Sequence, residues 1–587
     1  MELSQNARII LNKRYLKKDE GGNIIETPED MFRRVANVIA SVERRYKTDE
    51  TAWADEFYRM MTGLEFLPNS PTLLNAGRER GLLSSCFVLP VEDSIEGISC
   101  ALVKAMTIHK FGGGTGFSFG HIRPEGDLVS GNLSSAGGPV KLIKVFSEAT
   151  NYIRQAGVRC GCNSASLPVN HPDILKFIQA KRDGSASANF ATNIEITDDF
   201  VDRVRHGKYC QLINPRNGVV TGEIPARVIM DSIAEGAWET GDPGIMFIDR
   251  INDSNPTPQL GNFETTDPCG GQLLVPFESA TLGTINLSLM VSEDSEKPSI
   301  DYLRLGDVIP KAVRFLDNVL DVNLYPLGDV EKASRATRKI GLGLMGFAEL
   351  LIKLGIRYDS DQALEIADEL MWFVRTKTYE ASENLARERG TFPAFTGSVF
   401  DRQDGHPMRH ASCLTFTNTG TTSILANTSC GIHPIYAMVM VRNILDGERL
   451  LDINQAFEQI AKKFGFFNSK LVEELLSGVS PVNCQRIPEP FRQLFVTARD
   501  IDPEWCIRMQ AVFQRHIDNA ISQTVNFPKS ATVEDIKSMF LKAYDLGLKG
   551  VTAYRDTSRD AQVLCTGPEC VEVAQRYFQS NGMVEAV

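Results

Sequence analysis

Cys269 lies in Thr266-Asp267-Pro268-Cys269-Gly270-Gly271-Gln272, between a proline and a glycine pair, in a turn too tight and glycine-rich for a helix. An apolar and then β-branched run, Leu273 to Leu287, follows at once. This pattern presents one thiol on a loop buried among strands. An isolated buried thiol is ordinarily a small hydrophobe, and it becomes a reagent only where the fold brings it a partner. Cys160 and Cys162 form C-x-C, and Cys565 and Cys570 form C-x4-C. No C-x-x-C occurs, so a structural zinc site has little support, and twelve cysteines in 587 residues are too sparse for a disulfide scaffold.

A second kind of chemistry is written in hydroxyl-rich loops. Asn418-Thr419-Gly420-Thr421-Thr422-Ser423 precedes Ile424-Leu425-Ala426. If this loop opens a helix, its amides and hydroxyls sit at the positive helix end and suit a phosphate. Pro68-Asn69-Ser70-Pro71-Thr72 is a loop of the same type. Gly341-Leu342-Gly343-Leu344-Met345-Gly346 matches G-x-G-x-x-G, but Ala336-Thr337-Arg338-Lys339 before it is no buried strand. Close packing of backbone is the plainer reading there. Gly112-Gly113-Gly114-Thr115-Gly116 likewise asks for a backbone that bends or approaches something closely.

These loops need elements to hold them. Thr27-Pro28-Glu29-Asp30 predicts a helix start, and Phe32, Val35, Val38, Ile39 and Val42 recur at helical spacing. Residues 1–60 are therefore expected to form an N-terminal helical region. From Leu67 onward short apolar segments such as Ser85 to Pro90 and Gly244 to Ile248 alternate with amphipathic helices, which predicts an α/β catalytic domain over 61–557. Periodicity is lost near Ser558, and 558–587 read as a mobile cysteine-bearing tail. A net charge of −12 argues against a nucleic-acid polymer as partner. No signal core and no apolar run of spanning length is present, so a cytoplasmic protein without a membrane partner is expected.

Taken together, these stretches resemble the large catalytic subunit of ribonucleotide reductase, most of all the adenosylcobalamin-dependent class II enzymes. The resemblance runs from Lys13-Arg14-Tyr15-Leu16 to Val551-Thr552-Ala553-Tyr554-Arg555-Asp556. It includes Asn69 to Gly77, Cys86 to Ser94, His109 to Phe119, Pro243 to Arg250, Lys339 to Phe347 and Trp505 to Gln510. It implies a ten-stranded α/β barrel with a central finger loop whose tip carries Cys269 as a thiyl radical. That radical would remove the 3′ hydrogen of a ribonucleotide, with adenosylcobalamin as cofactor. The resemblance places substrate contacts at Ser70, Thr72, Ser85, Asn418, Thr419, Gly420, Thr421, Thr422 and Ser423. The partners expected are a ribonucleotide, a thioredoxin-like reductant acting through Cys565 and Cys570, and a second copy of the chain. The ATP-sensing N-terminal domain and the paired tyrosines of the iron-dependent class have no counterpart here, which favours class II.

The departures fall in the site. The family's N-P-C-G-E reads Asp267-Pro268-Cys269-Gly270-Gly271, so the glutamate that would serve as base is Gly271. Asp267 is left as a displaced base. The family's E-S-C-N-L-G reads Glu278-Ser279-Ala280-Thr281-Leu282-Gly283, so the thiol partner of Cys86 is Ala280. Cys160 or Cys162 is the available substitute. G-T-R-R-G-A-N appears as Gly157 to Asn163, an effector acid is replaced at Cys100, and G-I-E-P reads Gly431-Ile432-His433-Pro434. The sequence thus carries three readings. One is a thiyl-radical enzyme with an altered outcome, such as 3′-epimerisation using Cys269 and Cys86. The second is conventional 2′ reduction with relocated residues. The third is an inactive nucleotide- or cobalamin-binding relative.

Overall fold

The computed structural model describes the chain except for residues 80, 130–134, 156–158, 183, 185–188, 293–296, 404, 445–446, 559–563 and 581–587. Helices fill the N-terminal region. Thr27 and Asp30 form a reciprocal capping box ahead of the helix Pro28–Ala40, which buries Phe32, Val35 and Ile39. A helix at Glu50–Thr62 packs against it.

Ten strands then close a ring. β1 (Phe66–Pro68) is an extra edge strand and stands outside the count. The first half is β2 (Cys86–Val88), β3 (Gly114–Ser118), β4 (Asn163–Pro168), β5 (Phe190–Ile196) and β6 (Gly244–Phe247). These five are parallel neighbours in that order. The second half is β7 (Leu282–Asn286), β8 (Gly341–Met345), residues 414–416, β9 (Thr524–Phe527) and β10 (Gly550–Arg555), again all parallel. The halves meet antiparallel at both seams. β6 pairs with β10, and β2 pairs with residues 277–280 leading into β7. The long crossovers that parallel strands require are helical. Tyr302–Val322, for example, turns Leu305, Val308, Ile309, Ala312 and Leu316 toward the barrel.

The expected finger loop occupies the ring. It descends through Thr266, turns at Asp267–Gln272 and returns through Leu273, held by one bridge between Thr266 and Leu273. Gly270 adopts φ 73° at the turn, where a side chain would be strained. The glycine-rich run on β3 is explained by this loop. A Cβ on Gly116 would collide with the Thr266 carbonyl, and one on Gly114 would lie 3.3 Å from Pro268. The G-x-G-x-x-G stretch is β8 itself. Gly341 and Gly343 let residues 415–416 pass close by, as backbone packing requires.

The stretch expected to be a tail differs. Leu564–Cys565 pairs with the strand Val439–Ile444, and a helix follows at Val571–Ser580. Cys570 and Ala574 are buried against the main core, so enough apolar surface is present to dock it. Among the described residues no helix is long and apolar enough to cross a membrane.

The finger depends on bare backbone at β3. Gly116→Ala is expected to lower stability by roughly 1–3 kcal/mol, as overpacking does, and to speed alkylation of Cys269 by displacing the loop. Gly222→Ala, where a Cβ meets nothing within 4 Å, is the control. Equal melting temperatures and equal labelling rates for the two variants would refute this account.

Candidate active site

The loop tip is fixed by its own carboxylate. Asp267 is fully buried, and its Oδ1 accepts from the backbone N–H of Gly271 and of Gln272, each at 2.9 Å. Its Oδ2 is buried without a hydrogen-bond partner. Burial pushes the Asp267 carboxyl up, and the loop amides only partly offset this. The carbonyl of Gly271 is gripped by Thr415 Oγ1 at 2.8 Å and by Ala520 N at 2.9 Å. Behind the finger, the buried Glu278 clamps the return strand. It accepts from Val275 N at 2.7 Å, Lys339 Nζ at 2.7 Å and Thr337 Oγ1 at 2.6 Å.

This scaffold brings Cys269 to Cys86. Their sulfurs are 3.9 Å apart, and the Asp267 carboxylate lies within 4.8 Å of both. The contact with Cys269 and then burial push the Cys86 thiol well up, so Cys86 keeps its proton. Ala280 stands opposite Cys86 across the antiparallel seam, with its N–H donating to the Cys86 carbonyl at 2.8 Å. Directly opposed Cα atoms in such a pair are about 5.5 Å apart, so a thiol at 280 would be in bonding range. Ala280 holds that place in a small apolar cluster with Cys86, Val88, Leu274 and Leu282.

Cys162 does not fill the gap. Cys162 occupies the β4 position two strands from Cys86, with Gly114 of β3 between them. Two strand spacings are roughly 9–10 Å, beyond disulfide reach. The Cys160 side chain, Gly157 and Val158 lie outside the described residues. A glutamate at 271 has no room either. A Cβ there would meet the Phe416 carbonyl at 2.8 Å and Thr417 Cα at 3.2 Å.

Both thiols line a cavity of about 270 Å³ with Asn69, Ser70, Ser85 and residues 417–422. Two short helices begin on it, Ser70–Asn75 and Gly420–Leu425. Asn69 Nδ2 and Ser85 Oγ are buried there without partners, and Ser70 Oγ contacts Tyr15 Oη at 2.7 Å. Other predicted contacts face their own loops. Thr72 Oγ1 donates to Asn69 Oδ1 at 2.7 Å, Thr422 Oγ1 to the Thr419 carbonyl at 3.0 Å, and Ser423 Oγ to the Gly420 carbonyl at 3.2 Å. Asp267 faces the two thiols and is not among the cavity-lining residues.

Cys269 also lines a second cavity, of about 130 Å³, with Asn193, Gln523, Lys549 and Thr552. Gln523 Oε1 is buried there without a partner. Sequence reasoning missed these residues because each is an ordinary strand or loop residue until the ring closes. A third cavity, of about 450 Å³, lies beyond Asn418 and holds His433, whose Nδ1 is 3.1 Å from the Cys430 carbonyl. Cys100 is exposed on the helix Ile95–Phe111. Cys565 and Cys570 bring their sulfurs to 2.8 Å in the docked C-terminal segment.

Residues 84–405 and 399–554 match the family model described as ribonucleotide reductase, barrel domain, and residues 1–81 match ribonucleotide reductase, all-alpha domain. The chain is 42% identical to a vitamin B12-dependent ribonucleoside-diphosphate reductase of Thermoplasma acidophilum, over 97% of this chain and 81% of that protein. It is 41% identical to one of Mycobacterium tuberculosis, over 99% of this chain and 83% of that protein. A solved class Id ribonucleotide reductase alpha subunit of Actinobacillus ureae shares the fold, with TM-score 0.77 at 22% identity over 94% of this chain and 97% of that one.

A buried histidine supports β3 beneath the finger. His109 Nε2 lies 3.0 Å from Thr115 Oγ1, which donates to Asn163 Oδ1 at 2.7 Å. Burial pulls His109 down to about 4, against 6.5 when exposed. Between those values the unfolded chain binds the extra proton, so the contribution is full above pH 6.5 and falls as pH drops toward 4. The loss is up to about 3 kcal/mol at roughly 1.4 kcal/mol per unit. Denaturant unfolding at pH 7 and pH 4.5 is expected to show a shallower pH dependence for His109→Gln than for the parent. Identical slopes would remove His109 from this role.

Proposed function

The chain belongs to the ribonucleotide reductase family, within its vitamin B12-dependent class II branch, and we propose that it is a thiyl-radical enzyme that inverts C3′ of a ribonucleotide without net reduction. The observation that carries this reading is the thiol inventory. Cys86 and Cys269 are in contact at 3.9 Å, and Ala280 holds the place from which a second thiol would reach Cys86.

Adenosylcobalamin, when bound, supplies the radical equivalent that converts the Cys269 thiol to a thiyl. Asn193, Gln523, Lys549 and Thr552 would hold its adenosyl group, and the unpartnered Gln523 Oε1 is an acceptor that fits such a ligand. The nucleotide enters the 270 Å³ cavity. Its phosphates meet the starts of Ser70–Asn75 and Gly420–Leu425, beside the side chains of Asn69, Ser70 and Thr421. Cys269 takes the 3′ hydrogen as an atom and becomes a thiol. Cys86 then gives its hydrogen to C3′ from the other face, and the new C–H bond has the inverted configuration.

Two absences make this outcome preferable to water loss at C2′. Gly271 offers no base, and Asp267 holds the loop amides with Oδ1 and does not line the cavity. Reduction also needs two electrons from a thiol pair, and Cys86 has no partner at 280. The hydroxyls therefore stay, and Cys86 ends one hydrogen atom short.

A second reading is conventional reduction of a ribonucleoside diphosphate, with the Cys565–Cys570 dithiol and a thioredoxin-like protein as reductants. The names of the relatives at 41–42% identity favour it.

Incubation with adenosylcobalamin and each ribonucleoside mono-, di- and triphosphate in D2O separates the readings, the diphosphates being the first choice. The expected product is the 3′-inverted nucleotide with deuterium at C3′, and no 2′-deoxynucleotide. A deoxynucleotide with one dithiol oxidised per product would establish the second reading. No product and no radical signal with any nucleotide would leave only a binding protein.

A further inference from the structure

Resting on the epimerase reading, the geometry points to direct hydrogen-atom exchange between Cys269 and Cys86, with Ala280 as the residue that keeps the radical from being held beside Cys86. After inversion, Cys86 is a thiyl and Cys269 a thiol. The sulfurs stand 3.9 Å apart in the open site, within hydrogen-bonding range for sulfur. Once the sugar leaves the gap, the Cys269 S–H bond breaks and a Cys86 S–H bond forms. Cys269 regains the thiyl. One S–H bond is exchanged for another, so the step is close to thermoneutral, and no electron enters or leaves over the cycle.

A thiol at 280 would defeat this. It would lie opposite Cys86 at about 5.5 Å between Cα atoms, inside the range for a disulfide. A Cys86 thiyl beside such a thiol, as that thiol gives its proton to solvent, forms a sulfur–sulfur bond that holds the unpaired electron. The radical then rests on this pair and is not returned to Cys269. Alanine supplies the same small volume in the apolar cluster with Cys86, Leu274 and Leu282, and it removes the trap.

Asp267 completes the arrangement as a positioning residue. Its carboxylate lies within 4.8 Å of both sulfurs, and its Oδ2 has no hydrogen-bond partner. It is placed to turn the Cys86 S–H toward the finger, where the exchange takes place.

The test compares the parent with Ala280→Cys and Ala280→Ser, each with adenosylcobalamin and nucleotide but no dithiol. The parent and Ala280→Ser are expected to turn over many times. Ala280→Cys is expected to stop after about one turnover per site, with the unpaired electron shared by the two sulfurs and seen by electron paramagnetic resonance. If the parent itself makes the epimer but needs one dithiol per product, the exchange is wrong while the epimerase reading stands. If the parent makes deoxynucleotide, the reading fails and the inference with it. If Ala280→Cys turns over freely without dithiol, Ala280 has no such role. Serine at 280 guards against misfolding, because it adds a polar atom of similar size without the sulfur.

Discussion

A polypeptide loop, not a layer of side chains, fills the middle of this barrel, and everything at the site follows from making room for it. Barrel interiors are ordinarily packed by inward-pointing residues. Here the inward positions of β3 and β8 are Gly114, Gly116, Gly341 and Gly343, and neighbouring backbone or side chains lie where their Cβ atoms would be. The finger's polar groups must then be satisfied inside the ring. Asp267 caps two amides, Thr415 and Ala520 hold the Gly271 carbonyl, and Glu278 anchors the return strand. Leaving such groups unpaired would cost about 1–3 kcal/mol each. The loop is thus held from three sides and presents Cys269 to Cys86.

The same constraint explains why the changes at 271 and 280 belong together. The Gly271 Cβ direction points into the backbone of residues 416–417, so a base cannot be regained by a single substitution. Position 280 is different. Its surroundings are apolar and small, and they accept alanine or a thiol with little strain. One change is therefore structural as well as chemical, and the other is chemical alone.

Much of this was legible in the residues. The alternation of short strands and amphipathic helices indicated an α/β domain, and the Thr27 capping box lies where the helix starts. Gly341 to Gly346 was readable as close backbone packing because no strand precedes it, and it proved to be the strand itself. The C-terminal segment was less legible. Its docking rests on two-residue pairing at Leu564–Cys565 and on Cys570 and Ala574, too few apolar positions to show a period. Whether Cys162 can reach Cys86 depends on strand order, and only the pairing across Gly114 settles it. Asn193, Gln523, Lys549 and Thr552 reach the second cavity from separate stretches and carry no local motif.

The N-terminal helical region is part of the site's wall. Tyr15 Oη contacts Ser70 Oγ at 2.7 Å, and Arg78 donates to the Tyr15 carbonyl at 2.5 Å. Arg34, paired with Glu26, reaches the carbonyls at the end of Ser70–Asn75. That places cations where the helix dipole is negative. A second tie is fully buried. Glu43, beyond the helix Pro28–Ala40, binds Arg389, which in turn meets Asp317, and Arg338, Arg409 and His410 converge on the same carboxylate. Breaking one member of such a network leaves an unpaired buried charge, at a cost of about 3–5 kcal/mol. The helical region is consequently bound to the second half-barrel and to the helix that opens on the 270 Å³ cavity. Radical chemistry needs that rigidity, since a thiyl that wanders out of place meets the wrong hydrogen.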